Sequence, residues 1–250
     1  MTEQANSIIL EPTPIISARG LTKLYPGADV PALDGVDLDI APGRSLAIMG
    51  ASGSGKTTLL HTLAGIITPS SGTVTFRGAN QEFRVEGLNE KERSRLRREE
   101  FGFVFQQGLL LDELTALENI AVARMLVGAS RRQAEYEAAI WLSKLGLTGM
   151  ADRRLGQLSG GQVQRVAIAR AQSTGARLLF ADEPTGSLDS HTGEEVMNAL
   201  LNVVQDGRTL VLVTHDKDLA AKCDRVVTLR DGRIESDTGP TGDQRPGGRR

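Results

Sequence analysis

The amino-acid sequence predicts an α/β fold built on a mainly parallel sheet. Short β-rich runs alternate with helical patterns, the order that arises when parallel strands are joined by crossover helices. Several runs are apolar throughout, as Leu178-Leu179-Phe180-Ala181 and Leu210-Val211-Leu212-Val213 are, which suits strands covered on both faces. Another such run leads into a glycine-rich loop ending in Gly55-Lys56-Thr57 and then into a helical pattern, the context in which phosphate is held.

In chain order, residues 1–14 carry Glu3 and Glu11 and lack a basic start followed by an apolar stretch. They are expected to be a flexible N-terminus and not a signal peptide. Residues 15–18, 36–40 and 73–77 read as extra strands, an N-terminal antiparallel β subdomain beside the main sheet. Residues 45–49, 178–181, 210–213 and 225–229 read as the buried strands, with helices starting near Thr57, His191 and Asp216. Residues 115–127 and 131–145 are helical patterns with no strand between them, ending at Gly146. They predict a helical subdomain inserted at about 107–158 in a domain covering 15–235. The remainder, 236–250, is rich in Gly, Pro, Asp and Arg, and it lacks the apolar residues that would order it.

Composition removes several functional classes. A net charge of −2 argues against nucleic acid as a partner, which calls for a basic excess. Cys223 is the sole cysteine among 250 residues, so no disulfide framework forms within the chain, in keeping with a reducing compartment. No apolar run approaches the roughly 20 residues that span a bilayer. Any link to a membrane is therefore expected to run through a partner.

Gly50-Ala51-Ser52-Gly53-Ser54-Gly55-Lys56-Thr57-Thr58 fits G-x-x-x-x-G-K-[ST] between a strand and a helix. Glycines let successive N–H groups turn inward as an anion nest, and the helix N-terminus adds partial positive charge at the same point. Lys56 supplies a full charge for the β- and γ-phosphates, and the Thr57 hydroxyl is suited to a magnesium ion. Alone, this loop implies an NTPase or a kinase. Further on, Ser159 and Gln162 have the spacing of a capping box. Between them Gly160 and Gly161 each cost the helix about 1 kcal/mol relative to alanine, which makes sense if something approaches the backbone closely. That helix start reads as a second anion site. Asp182 and Glu183 end an apolar strand at the sheet edge where ligands bind in such folds, and adjacent carboxylates repel unless a cation is near.

With Leu158-Ser159-Gly160-Gly161-Gln162 behind the phosphate loop and ahead of Asp182-Glu183-Pro184, the chain resembles the ATP-binding cassette (ABC) family. The resemblance covers about residues 15–235, with the motifs in the family's order. It implies a P-loop NTPase (RecA-like) core, ATP and Mg²⁺ as cofactors, and a head-to-tail dimer in which one copy's signature closes on the γ-phosphate held by the other. Asp182 resembles the family's Mg²⁺ partner and Glu183 its catalytic glutamate. His215, after the next strand, resembles the switch histidine that contacts the γ-phosphate. Gln106 resembles the hinge glutamine that senses γ-phosphate and Mg²⁺; Gln107 competes by composition, and the preceding Phe103-Val104-Phe105 favours Gln106. Asp189 resembles the residue linking the two sites across the dimer, while its simpler reading is a helix cap. Tyr25 occupies the place of the aromatic platform for adenine, where its simpler reading is packing.

Residues 90–100, of mixed charge, read as a solvated helix face with internal ion pairs. Leu109, Leu110 and Leu111 read as a mixture of core and a groove for a membrane partner's helix. Within the family, Gly102-Phe103-Val104-Phe105-Gln106 and the stretch from Ala181 to Asp189 look like the branch serving lipoprotein release, macrolide export and antimicrobial-peptide resistance. Val163 and Asp112 depart from that branch's usual residues. The implied protein is the ATP-hydrolysing subunit of a transporter, cytoplasmic and held at the inner face of the membrane by a separate permease. A regulator acting through a membrane partner without transport, or a soluble ATPase of the family, are the alternatives.

Overall fold

The computed structural model describes residues 13–106 and 109–239; residues 1–12 of the expected flexible segment 1–14, and residues 240–250, lie outside the described residues. Two sheets form the core. β1 (Ile16–Lys23), β2 (Leu33–Ile40), β4 (Ser71–Arg77) and β5 (Glu82–Arg84) make a four-stranded antiparallel sheet in the order β2-β1-β4-β5. The second sheet has six strands. They are β3 (Ser45–Met49), β6 (Phe101–Phe105), β7 (Leu178–Asp182), β8 (Thr209–Val213), β9 (Arg225–Arg230) and β10 (Arg233–Asp237), in the order β10-β9-β3-β8-β7-β6. All its pairs are parallel except the terminal β9–β10 hairpin.

Apolar runs become strands of the parallel sheet because both faces are covered. Side chains alternate faces with a period of two, and β7 and β8 show it directly. Leu178, Phe180, Val211 and Val213 enter the core shared with the antiparallel sheet and helix α1 (Lys56–Leu63). Leu179, Ala181, Leu210 and Leu212 enter the core on the opposite face, under α5 (Gly160–Ser173) and α6 (Ser190–Gln205). A third core belongs to the insert, where α3 (Ala116–Leu126) and α4 (Arg131–Lys144) pack on α5 through Ile120, Ala134, Ala138, Leu142 and Val166. A short α7 (Lys217–Ala220) follows β8.

The chain departs from expectation at two places. Residues 101–105 form an edge strand, β6, that delivers Gln106 to the sheet edge. Ser236 and Asp237, placed in the disordered remainder by composition, belong to β10; Arg225 grips the Asp237 carboxylate and Val226 N–H donates to the Thr238 hydroxyl. Polar strand residues on an exposed hairpin carry no apolar signal, which is why the boundary read early. Residues 90–100 form α2 (Glu90–Glu100) as expected, with ion pairs from Glu90 to Arg93 and Arg97 and from Arg95 to Glu99. Among the leucines, Leu109 and Leu111 are exposed while Leu110 packs against two cores, the expected mixture.

Candidate functional site

Parallel register brings the motifs together. Ile48 pairs with Val213, Val213 with Asp182, and Asp182 with Phe105. Four neighbouring strands therefore end level, and the chain leaving each carries one motif: the phosphate loop after β3, His215 after β8, Glu183 after β7 and Gln106 after β6. Residues as much as 165 positions apart in sequence, Gly50 and His215, meet along one edge because the sheet is parallel.

The phosphate loop has the backbone of an anion nest. Gly50, Gly53 and Gly55 take φ of 147°, 77° and 103°, a region side chains rarely adopt. Close packing excludes a side chain independently: a Cβ on Gly50 would lie 2.3 Å from the Leu229 carbonyl oxygen, and one on Gly55 2.3 Å from that of Ala32. Lys56 Nζ donates to the carbonyls of Gly50 and Ala51, both at 2.9 Å, so its ammonium arches over the loop. Ala51, Ser52 and Gly53 are exposed, whereas Ser54 is buried and its hydroxyl has no partner among the described residues. Among the described α-helices, α1 is the one without a side-chain cap; its N-cap is Gly55, and its first N–H groups remain for a ligand.

The acidic strand end lies opposite. Thr57 Oγ1 donates to Asp182 Oδ1 at 3.4 Å. Burial raises the Asp182 carboxyl above the usual carboxylate range, and the Glu183 charge adds to this against the Thr57 hydrogen bond and His61. A divalent cation would stabilise the carboxylate form. Glu183 has φ 47°, a left-handed conformation costing a non-glycine residue about 1–2 kcal/mol. Its N–H donates to the Val213 carbonyl at 2.9 Å, and its Oε2 lies 2.9 Å from His215 Nδ1. The ring of His215 is mostly exposed while the Glu183 carboxylate is largely covered. Glutamate and histidine thus form the pair that the sequence placed on adjacent strand ends. Tyr25 is exposed, its hydroxyl 3.4 Å from that of Thr58 and its ring 5.3 Å from Lys23 Nζ.

The signature turn differs from expectation in one respect. Ser159 caps α5: its Oγ accepts from Gln162 N–H at 3.3 Å, and Gln162 Oε1 accepts from Ser159 N–H at 2.9 Å. Gly160 is exposed, but Gly161 is buried, and a Cβ there would lie 2.1 Å from Thr192 Cγ2. What approaches Gly161 closely is α6 of the same chain. Only Gly160 remains bare towards solvent. Asp189 caps α6 through Thr192 N–H at 3.0 Å, which holds its carboxyl below the usual range. The Gln106 amide packs beside Gly186, where a Cβ would sit 3.0 Å from Gln106 Nε2.

The structure adds two groups. Gly232, in the β9–β10 turn, donates its N–H to the Ser54 carbonyl at 3.1 Å and accepts from Asp34 N–H at 2.9 Å, clasping the phosphate loop to the start of β2. The Asp231-Gly232 dipeptide was the available sequence signal for that turn. Gln164, two residues past the signature, is buried and donates to the carbonyls of Phe105 and Gln106. Its signal was a polar residue on the buried stripe of a helix.

Comparison with known proteins decides the family. The description "ABC transporter" matches residues 33–186. The chain belongs to the ABC transporter family. It is an ABC ATPase domain, with the fold expected from its motifs. It is 44% identical over 236 residues to the macrolide export ATP-binding/permease protein MacB of Azoarcus sp. strain BH72, covering 94% of this chain and 35% of that protein. It is also 44% identical over 229 residues to the pyoverdine export ATP-binding/permease protein PvdT of Pseudomonas fluorescens, covering 90% and 34% respectively. The chain thus spans about a third of the length of these relatives. Among solved structures, the dimeric post-hydrolysis state of the ATP-binding cassette MJ0796 bound to ADP and Pi superposes with TM-score 0.82 at 36% identity, covering 91% of this ABC domain and all of that chain.

Proposed function

We propose that this ABC domain binds Mg-ATP between two copies of itself, hydrolyses it with Glu183 and His215, and by closing and opening drives a membrane permease partner in export. The observation that carries the reading is the level strand edge. There the nest, a raised-pKa carboxyl and a Glu–His pair converge, while Ser159 and Gly160 stand exposed at the start of α5 with no hydrogen bond to that edge among the described residues. A donor set turned away from its own phosphate loop suits a second copy's triphosphate. The dimeric form of the MJ0796 cassette supports this arrangement.

In the proposed site, residues 50–58 hold the phosphates and Lys56 exchanges its carbonyl partners for them. Thr57 and Asp182, with Gln106 joining them, would hold Mg²⁺, which neutralises charge on the phosphates. The residues fit that ion: the Thr57 hydroxyl and the Asp182 carboxylate face each other at 3.4 Å, and magnesium is usually bound by one or two carboxylates plus phosphate oxygens. Glu183 accepts a proton from the attacking water, and His215 fixes the carboxylate through Nδ1, leaving Nε2 towards the γ-phosphate. Tyr25 offers its exposed ring to adenine. Asp189 and the Ser159–Gln162 turn come from the opposite copy, their caps already formed.

No helix among the described residues is long and apolar enough to cross a membrane, and relatives named as export ATP-binding/permease proteins support a permease as the membrane-embedded partner. Exposed Leu109 and Leu111 offer it an apolar contact, holding the domain at the inner face of the membrane. Substituting Glu183→Gln and measuring sedimentation with Mg-ATP tests the scheme. The variant is expected to bind nucleotide, lose turnover about a hundredfold or more and accumulate as a dimer. Normal turnover would remove Glu183 from its role, and a monomer under saturating Mg-ATP would remove the shared site.

A further inference from the structure

The buried amide of Gln164 has no part in the phosphate site, yet it connects two of its components. It lies in α5, five residues beyond Ser159, with the residue 3% exposed. Its Nε2 donates to the carbonyl of Phe105 at 3.1 Å and to that of Gln106, where β6 ends and the chain enters the insert. Further along α5, Arg170 Nη1 donates to the Leu109 carbonyl at 2.7 Å. One helix therefore grips the junction on both sides. The Oε1 of Gln164 has no partner among the described residues. A buried acceptor left unpaired costs stability, and what the amide gives in return is its donation to the Phe105 and Gln106 carbonyls. Packing alone does not account for an amide here.

We propose that Gln164 is a positioning residue that locks the Phe105–Gln106 junction to α5, so that Gln106 and the Ser159–Gln162 turn enter dimer closure as one body. Without the lock, each would have to be ordered separately when the second copy's triphosphate arrives. The cost would fall on closure and not on binding of nucleotide to the open monomer. This inference rests on the two-copy reading above, and its test separates the two.

The test uses the chain carrying Glu183→Gln, with and without Gln164→Met, and each again with Gln106→Ala. Nucleotide binding is followed with a fluorescent ATP analogue and dimerisation by sedimentation at saturating Mg-ATP. Gln164→Met is expected to leave monomer affinity within about twofold and to weaken dimerisation about tenfold or more, with the cost of Gln106→Ala markedly smaller once Gln164 is gone, since coupled residues are non-additive. Equal dimerisation with and without Gln164→Met, or strictly additive losses, overturns the inference. A Glu183→Gln protein that stays monomeric overturns the two-copy reading itself. Should Gln164→Met fail to fold, Gln164→Glu keeps the volume, removes the amide donor, and is held to the same two outcomes.

Discussion

Two helix N-termini carry the chemistry proposed for this ABC domain, and they are built in opposite ways. α1 begins at Gly55 with no side-chain cap, under three left-handed glycines and an arched lysine. α5 begins at Ser159 with a complete capping box, and the second of its two glycines is consumed by packing against Thr192. Orphan N–H groups at a helix start need partners. At α1 the proposed partner is a ligand; at α5 the Ser159 side chain already supplies one, to Gln162 N–H. The difference teaches which half of the site exists before nucleotide binds. The phosphate loop is prepared and open, whereas the signature helix is already capped by its own Ser159 and offers a serine hydroxyl and the exposed face of Gly160 as an addition. A site whose second half is stable without ligand can be carried on another copy.

Breaking the comparison at the chemistry should give the largest effect: Glu183→Gln lowers kcat about a hundredfold or more, close to 3 kcal/mol of barrier, with nucleotide binding retained in a filter or fluorescence assay. Next, Ser159→Ala removes the cap of α5, costing about 1 kcal/mol in a urea titration. It also removes the hydroxyl offered to the second copy, so Mg-ATP-dependent dimerisation falls while monomer affinity for ADP is unchanged. Equal loss of monomer affinity would mean that Ser159 serves its own phosphate loop.

Gly161→Ala sharpens the account of the two glycines. The Thr192 methyl must move or clash, an overpacking cost of about 1–3 kcal/mol, and Thr192→Ser, which deletes that methyl, should recover most of it in thermal unfolding. The smallest effect concerns Asp182. Its folded pKa is raised by burial, so stability is fully present below the unfolded value near 4 and declines as pH rises through the folded value. Asp182→Asn should therefore be more stable than the parent near neutral pH without nucleotide, with the difference fading in acid. Urea midpoints compared across that window check the sign.

Much of this was legible in the sequence, because strand ends in a parallel sheet and glycine-lysine loops announce themselves by local pattern. Asp182, Glu183 and His215 were placed from apolar runs that stop at polar residues, and the capping box was readable from the Ser159–Gln162 spacing. What was not legible depends on contacts between distant segments. Gly161 against Thr192, Gly232 against Ser54 and Gln164 under Phe105 join residues whose separation in sequence leaves no periodic trace. β6 was read as a motif and not as a strand because Gly102 interrupts its apolar run beside the charged residues 90–100, and sheet order alone reveals that it forms the edge.

The central claim is that the prepared loop of one copy meets the capped helix of another, and trans crosslinking tests it directly. One Glu183→Gln protein would carry Ser52→Cys and a second Gly160→Cys, both exposed positions. Burial pushes the native Cys223 thiol up to about 12, which keeps it silent towards a short bismaleimide at neutral pH. The mixed proteins should crosslink with Mg-ATP and stay separate with ADP or no nucleotide. Saturating Mg-ATP with no crosslink between the two copies would contradict the account.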